Sequence, residues 1–358
     1  MSSVVKIGSS LSIGGNSPVV IQTMWKDPLS YSDLEGSVKR IHDLAAMGCG
    51  LLRFAAPDMS SVEVLGALAS LVSMPLSADI HFDYRIALRC LDFPIAKIRI
   101  NPGNIGGRKQ VEAVLSKAAA KGVPIRIGVN GGSLPRDLRA RVQDGSLGRA
   151  EALAEAAERE LAVFKEFDFQ QVLVSMKASS VADTIKANRM LAQRSDVPLH
   201  IGVTEAGPLI AGVTRNTAAL YTLLTEGIGD TIRVSLSDTM ENEVIAGREI
   251  LRTVSGGGEA GRCASGGVTI ISCPRCGRNG FDTHGFTERW RDYLYKLDKN
   301  LTIAVMGCAV NGPEEARHAD LGITGAGNKA LLFRRGTVIR TIDAADADGV
   351  FREELEKL

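Results

Sequence analysis

The sequence predicts a (β/α)8 TIM barrel followed by a small α+β domain, and three observations predict it. From Pro18 to about Ser255 one unit, a short apolar strand and then an amphipathic helix, repeats eight times. The strand segments are near-continuous Ile/Val/Leu runs, the pattern of parallel strands buried on both faces. Then Ser255-Gly256-Gly257-Gly258-Glu259-Ala260-Gly261 breaks the pattern as a linker would, and the C-terminal quarter of the chain carries three cysteines in a new arrangement. The expected division is residues 1–255 for the barrel, 256–267 for the linker and 268–358 for the second domain.

In chain order, the predicted barrel strands are 18–24, 51–56, 76–80, 96–100, 125–129, 171–176, 199–203 and 231–236. The helices after them are Tyr31–Met47, Ser60–Val72, Tyr84–Leu91, Lys109–Lys121, Arg149–Phe164, Val181–Arg194, Asn216–Thr225 and Met240–Val254. Several strands are announced by a turn and a proline, as at Met74-Pro75, Gly122-Val123-Pro124 and Asp196-Val197-Pro198. An open doubly wound sheet also alternates strand and helix, but eight units of this regularity favour closure. In the second domain the order is strand 268–272, a Cys pair, helix Thr287–Leu297, strand 301–305, a Cys308 loop, a basic hairpin at Arg334-Arg335-Gly336 and a last helix Ala344–Leu358. Gly322, Gly325 and Gly327 lack the order of a phosphate loop and read as turn glycines.

Composition excludes several classes of function. With 358 residues, 45% hydrophobic and 23% charged, the chain has an ordinary globular balance. A net charge of +1 and 5% aromatic residues give neither the basic stripe nor the stacking platform of a nucleic-acid binder. Nor does any apolar run reach membrane-spanning length, and Met1–Gly15 lacks the apolar core of a signal peptide. Six irregularly spaced cysteines suit reduced thiols in the cytoplasm rather than a disulfide framework, and Cys49, Cys90 and Cys263 have no ligand-like neighbours.

Side chains alternate along a strand, so polar residues two apart share a face. That pattern recurs at the predicted strand ends: Asp79 and His81, Arg99 and Asn101, Arg126 with Gly128 and Asn130, Ser175 and Lys177, Arg233 and Ser235, with Arg53 on the second strand and Thr204-Glu205 closing the seventh. An ordinary barrel lumen is filled with branched apolar side chains. Four arginines and a lysine aimed into it need counter-charges that Asp79 and Glu205 supply only in part, so an anionic ligand is expected, and guanidinium forks suit phosphate. The competing reading places these cations in rim salt bridges. Asp79, His81 and Asp83 also admit a metal site, against which stands a hydrogen-bonded orienting pair.

Cys273-Pro274-Arg275-Cys276 comes directly after one β-branched run and Cys308 after another, with a helix between. Strand, crossover helix and strand imply parallel neighbours, which brings the three thiols to one end of the sheet. Zinc in a structural site takes four closed ligands, and the second half offers one Cys and two carboxylates. Three thiolates with a fourth, weaker position suit an iron–sulfur cluster. Zinc and three inert thiols remain competing readings. On the zinc reading the chain would be a non-redox barrel enzyme acting on an anionic substrate, with a zinc-stabilised C-terminal domain.

Ala78-Asp79-Ile80-His81-Phe82-Asp83, Arg99-Ile100-Asn101-Pro102-Gly103-Asn104-Ile105-Gly106, Arg126-Ile127-Gly128-Val129-Asn130 and Cys308-x-x-Asn311-Gly312-Pro313-x-Glu315 together resemble the 4-hydroxy-3-methylbut-2-enyl diphosphate synthases over nearly the whole chain. The resemblance implies reductive ring opening and dehydroxylation of 2-C-methyl-D-erythritol 2,4-cyclodiphosphate with two electrons, in the methylerythritol phosphate route to isoprenoids. It implies a 4Fe-4S cluster on Cys273, Cys276, Cys308 and Glu315, in a domain like those of sulfite and nitrite reductases, reduced by flavodoxin or ferredoxin. Substrate would be held by Arg53, Arg99, Arg126, Lys177 and Arg233, with hydrogen bonds from Asn101, Asn130, Ser175, Thr204 and Ser235; Asp79, His81 and Glu205 would give acid–base support. The compact form resembles the bacterial enzymes. Two departures stand out: Trp25-Lys26-Asp27 replaces a Thr/Asn-rich turn, and Glu314 stands where the family usually has Gly.

Chain direction, as well as the resemblance, gives one more expectation. The eighth barrel helix ends at the amino-terminal face, opposite the cationic strand ends, and the 13 residues from Ser255 to Gly267 span at most ~45 Å. A homodimer in which each cysteine domain caps the partner's barrel is therefore expected.

Overall fold

The computed structural model describes residues 1–256, 261–263, 266–309 and 312–358. They form two compact units, Met1–Ser265 and Gly266–Leu358. In the first, a short antiparallel hairpin of β1 (Val5–Ile7) and β2 (Leu11–Ile13) precedes the barrel. The barrel strands are β3 (Val20–Met24), β4 (Leu51–Ala55), β5 (Leu76–Asp79), β6 (Lys97–Ile100), β7 (Ile125–Asn130), β8 (Val172–Lys177), β9 (His200–Ile201) and β10 (Thr231–Ile232). They pair in parallel in the order β8-β7-β6-β5-β4-β3-β10-β9, and a parallel bridge between Val174 and Leu199 joins the two ends of that order.

Helices α1 (Leu34–Ala46), α2 (Met59–Leu71), α3 (Tyr84–Cys90), α4 (Arg108–Lys121), α5 (Arg136–Gln143), α6 (Arg149–Glu166), α7 (Val181–Arg194), α8 (Leu209–Thr225) and α9 (Met240–Val254) lie between and after the strands. Their starts are set locally: Asp58, Asp83, Ser180 and Thr239 each accept a hydrogen bond from a backbone N–H of the first turn. The hairpin packs Val5, Ile7 and Ile13 against Val20, Leu51, Ala96 and Leu173, which closes the barrel at its amino-terminal end with apolar surface. The polar strand ends open at the other end.

Several boundaries differ from the sequence reading. The hairpin and α5 are not expected from the sequence. The seventh and eighth strands are two residues each, and the seventh ends where Gly202, with φ 153, turns the chain out of β geometry. The seventh barrel helix starts at Leu209 rather than Asn216, since Pro208 opens it and Asn216 caps inward onto the Val203 N–H from mid-helix. Of the expected linker, residues 257–260 and 264–265 lie outside the described residues. Arg262 is not free tether: its carbonyl accepts from Val19 N–H, and its guanidinium reaches Ser17 O and pairs with Asp230 at 2.5 Å.

The second unit is a five-stranded sheet in the order β11 (Thr269–Ser272), β12 (Thr302–Met306), β13 (Leu321–Ala326), β14 (Lys329–Arg334), β15 (Thr337–Asp343). The first three strands are parallel and the last three antiparallel. Its helices are α10 (Thr283–Tyr295), the single turn α11 (Gly312–Glu315) and α12 (Ala347–Glu356). Ile303 and Val305 pack with Phe286, Trp290 and Phe351, whereas the alternate residues Ala304 and Met306 join Ala316, Phe333 and Cys273 in a separate cluster. α10 begins four residues before the expected Thr287, because the Asp282 carboxylate caps it at the Gly285 N–H. Gly322 and Gly325 are strand residues, not turn glycines: a β-carbon at 322 would stand 2.1 Å from the Phe333 ring, and one at 325 would stand 2.5 Å from the Gly280 backbone. Gly327, with φ 65, does make the turn.

Candidate active site

Twelve residues line a cavity of about 210 Å³ at the carboxyl ends of the barrel strands: Met24, Arg53, Asp79, His81, Arg99, Arg126, Asn130, Ser175, Lys177, Thr204, Arg233 and Ser235. Strand alternation and register explain how they meet. Asp79, Arg99 and Arg126 are consecutive register partners on β5, β6 and β7, so their side chains enter the lumen at one level. Asn130 and Lys177 are partners two levels higher on β7 and β8, above the Gly128–Ser175 pair.

Within this ring one carboxylate faces several cations. Asp79 pairs with Arg99 at 3.0 Å and has Arg53 at 3.6 Å and His81 at 3.5 Å. Burial alone would raise its pKa, but His81 and the charges of Arg53, Arg99 and Arg126 outweigh burial and hold it well below the usual carboxylate range. Asp79 is therefore an ionised counter-charge that orients Arg99 and His81. The cations respond in the opposite sense. Burial pulls Arg53 down to about 10, only partly opposed by Asp79. Burial and then the neighbouring arginines take Arg126 and Lys177 well below their ordinary values.

Arg126 is the extreme case: it is 1% exposed, and its Nε and Nη2 have no hydrogen-bond partner among the described residues. The Nε atoms of Arg53 and Arg99 also lack a hydrogen bond there, with Arg53 Nε 3.6 Å from the Asp79 carboxylate. Buried, unpaired guanidinium N–H groups around a cavity are strongly unfavourable unless an anion receives them. The lumen thus fits an anion with several oxygens.

Two expected contacts lie outside the lining. Asn101 is buried, but its Oδ1 accepts from Gly103 N–H at 3.2 Å as the cap of a short helical turn. Glu205 is exposed on a left-handed turn with φ 51. Asp83 takes no part in a metal site with Asp79 and His81, because it caps α3 and pairs with Arg85 at 2.7 Å.

The sequence reading misses four groups. Met24 lines the cavity and its Sδ lies 2.9 Å from Arg53 Nη2. Glu243, from α9, grips Arg233. Lys97 is fully buried beneath the cavity and donates to Gln22 Oε1 at 2.9 Å, and His200 is buried with its Nδ1 2.5 Å from Thr231 Oγ1. Lys97 is legible in principle, since it stands two before Arg99 on the same strand face.

In the second unit the ends of β11 and β12 lie side by side, with Cys273 N–H donating to Val305 O at 3.0 Å. Arg275, at φ 65, turns the Cys pair, Asn279 N–H closes onto Cys276 O, and Gly280 N–H onto Gly307 O. Gly312 N–H donates to Cys308 O at 3.1 Å, which puts the Glu314-Glu315 turn directly after the third thiol. Among the described residues no three His, Cys, Asp or Glu side chains stand gathered as a metal cage. Asn311 of the same loop lies outside the described residues. The remaining cysteines are poor ligands: burial pushes Cys49 up to about 11 and Cys90 up to about 12, and raises Cys263.

Residues 2–248 match the family described as the GcpE TIM-barrel domain, and residues 269–357 match the GcpE protein C-terminal domain. The chain belongs to the GcpE family. Its similarity to named GcpE members runs end to end. It is 52% identical to the 4-hydroxy-3-methylbut-2-en-1-yl diphosphate synthase (flavodoxin) of Treponema pallidum, covering 98% of this chain and 89% of that one. The enzymes of the same name from Treponema denticola and Geobacillus thermodenitrificans are 50% and 42% identical, over 97% and 99% of this chain and 95% and 91% of theirs. No helix among the described residues is long and apolar enough to cross a membrane.

Proposed function

We propose that this chain is a GcpE-type oxidoreductase that opens 2-C-methyl-D-erythritol 2,4-cyclodiphosphate and removes one hydroxyl, giving 4-hydroxy-3-methylbut-2-enyl diphosphate for isoprenoid precursors. The observation that carries the reading is the cavity, where Arg53, Arg99, Arg126, Lys177 and Arg233 meet with a single lining carboxylate, Asp79. The guanidinium N–H groups of Arg53, Arg99 and Arg126 that lack a hydrogen bond suit the diphosphate, and Asn130, Ser175, Thr204 and Ser235 suit the hydroxyls of the carbon skeleton. Arg99 and Arg126, side by side in register, would hold one phosphoryl group by a guanidinium fork each. Asp79 stays a carboxylate and orients; His81 at the cavity wall and Glu205 on the adjacent turn are the groups assigned to proton transfer. Two electrons and one proton balance the loss of the hydroxyl as water.

The second unit fits an iron–sulfur cluster by the chemistry of its donors. Cys273, Cys276 and Cys308, at two adjoining strand ends, would serve as thiolate ligands, and Glu315, on the turn after Cys308, would serve as a harder oxygen ligand. A four-iron–four-sulfur cluster held there would supply electrons and a Lewis-acidic iron with an exchangeable oxygen ligand. The relatives' names specify flavodoxin, and we assign a flavodoxin or ferredoxin as donor, in a cytoplasmic setting where the thiols stay reduced.

The same proposal includes a homodimer in which one chain's barrel works with the partner's cysteine domain. Arg262, pinned at the amino-terminal ends of β3 and β10, supports it.

Anaerobic reconstitution and then iron, sulfide and product analysis test the activity. About four irons and four sulfides per chain, with cyclodiphosphate consumed under an artificial reductant, are expected; a zinc-loaded protein that leaves the cyclodiphosphate intact would overturn the reading. For the dimer, a mixed species of a Cys273→Ser chain and a Lys177→Ala chain regains about half the activity if sites form in trans, because one intact pair remains. A silent mixed dimer that still carries its one cluster contradicts the arrangement.

A further inference from the structure

Trp25-Lys26-Asp27 follows the end of β3, and the structure gives each of its residues a partner. Trp25 is buried and stacks on Phe54, with ring centroids 5.2 Å apart, and Asp27 pairs with Arg40. Lys26 reaches across to the loop before α9. Its Nζ donates to Leu236 O at 3.1 Å and to Asp238 O, and stands 2.9 Å from Glu243 Oε1.

Glu243 is the hub of this region. Its side chain is 1% exposed, and Thr23 Oγ1 donates to Oε2 at 2.6 Å while Leu236 N–H donates to Oε1 at 3.0 Å. The two carboxylate oxygens also take Arg233 side-on, Nε at 3.2 Å and Nη2 at 3.1 Å. A side-on grip uses one edge of the guanidinium and leaves the Nη1 end outside it. That end points to the cavity wall, where Met24 Sδ is 3.9 Å away.

The charges then decide what a ligand meets. Glu243 and Arg233 alone would sum to zero, which is a poor attractor for a diphosphate. With Lys26 on the same carboxylate these three groups sum to one positive charge, the Asp238 carboxylate that Lys26 also faces being partly open to solvent, and Lys26 itself is only partly exposed, at 29%. Screening by solvent is therefore incomplete.

We propose that Lys26 and Glu243 are positioning residues for Arg233: Glu243 fixes the guanidinium edge-on, and Lys26 offsets the Glu243 charge so that Arg233 meets the diphosphate as an uncompensated cation. This rests on the barrel cavity being the diphosphate site. A purely structural role, in which Lys26 staples two loops through Leu236 and Asp238, makes different demands on the same experiment.

The test is anaerobic calorimetric titration of the cyclodiphosphate into oxidised holoenzyme at several salt concentrations, with Tm recorded alongside. Lys26→Gln is expected to weaken binding about fivefold and to make its salt dependence shallower, whereas Lys26→Arg keeps affinity and salt slope within about twofold. Lys26→Met, which retains the apolar stem, carries the same expectation as Lys26→Gln and stands in if that variant folds poorly. An Arg126→Met control separates the two levels of the argument. If Arg126→Met loses binding while Lys26→Gln lowers only Tm and keeps affinity and salt slope, the positioning role is overturned and the diphosphate site stands. If Arg126→Met binds as the parent does, both fall.

Discussion

Arg99 lies across Gly128: a β-carbon at position 128 would stand 2.2 Å from Arg99 Nε and 2.5 Å from its Nη2. The register puts Arg99 beside Arg126, two residues before Gly128 on the same face of β7, so the guanidinium passes over the one lumen position on that strand that has no side chain. Its Nη1 then reaches Asp79 at 3.0 Å. Glycine is required here by close approach and not by backbone conformation.

Gly128→Ala displaces Arg99 from Asp79 while leaving β7 hydrogen-bonded. The expected result is a loss of about tenfold in cyclodiphosphate affinity, the scale of one charge-assisted hydrogen bond, in a protein whose cluster absorbance is unchanged. Calorimetric titration beside a visible spectrum checks it, and unaltered affinity would show that Arg99 does not contact the ligand.

Lys177 gives the pH dependence. Burial and the charges of Arg126, Arg233 and Arg53 hold its folded pKa well below the ordinary 10.5. Between that depressed value and 10.5 the amine is neutral in the free protein but protonated in the unfolded chain, so this lysine makes the free protein more stable as pH rises through the window. A bound diphosphate restores the proton. Binding is therefore expected to take up protons in the same window and to weaken as pH rises. Titrations in buffers of different ionisation enthalpy measure the uptake, which Lys177→Met abolishes; proton release on binding would contradict the assignment.

Glu315 and Glu314 share one turn, and only Glu315 is expected to ligate iron, on the family spacing after Cys308. Glu315→Ala is expected to lower iron content towards three per chain and to abolish turnover, while Glu314→Ala retains both. Iron analysis and turnover after anaerobic reconstitution decide between them, and a dead Glu314→Ala reverses the assignment.

Strand alternation makes most of the lumen legible. Eleven of the twelve lining residues, from Arg53 through Ser235, are marked in the sequence by polar side chains at strand ends, because period-two spacing maps directly onto one face. Lys97 obeys the same rule but stands at the start of its strand, away from the polar ends that draw attention. Glu243 cannot be found that way: it comes from a helix, and its grip on Arg233 depends on how α9 docks behind β10. Asn101 and Glu205 fit the strand pattern in sequence but leave the lining, the first by capping a turn and the second by a left-handed backbone. The β1–β2 hairpin is hidden because three-residue strands carry too little periodicity to register.

The most direct test of the account is Arg126→Met, measured for both stability and binding. The side chain is buried, with Nε and Nη2 unpartnered among the described residues, so the ligand-free protein bears an uncompensated charge there. An apolar side chain of similar length removes that cost, and Tm without ligand is expected to hold or rise, by a stabilisation of about 1 to 4 kcal/mol. Cyclodiphosphate affinity is expected to fall by about 1.5 to 3 kcal/mol, the share of a charge-assisted contact, with the cluster spectrum intact. A variant that is less stable and binds the cyclodiphosphate as tightly as the parent would show that Arg126 holds the barrel together and that the diphosphate is bound elsewhere.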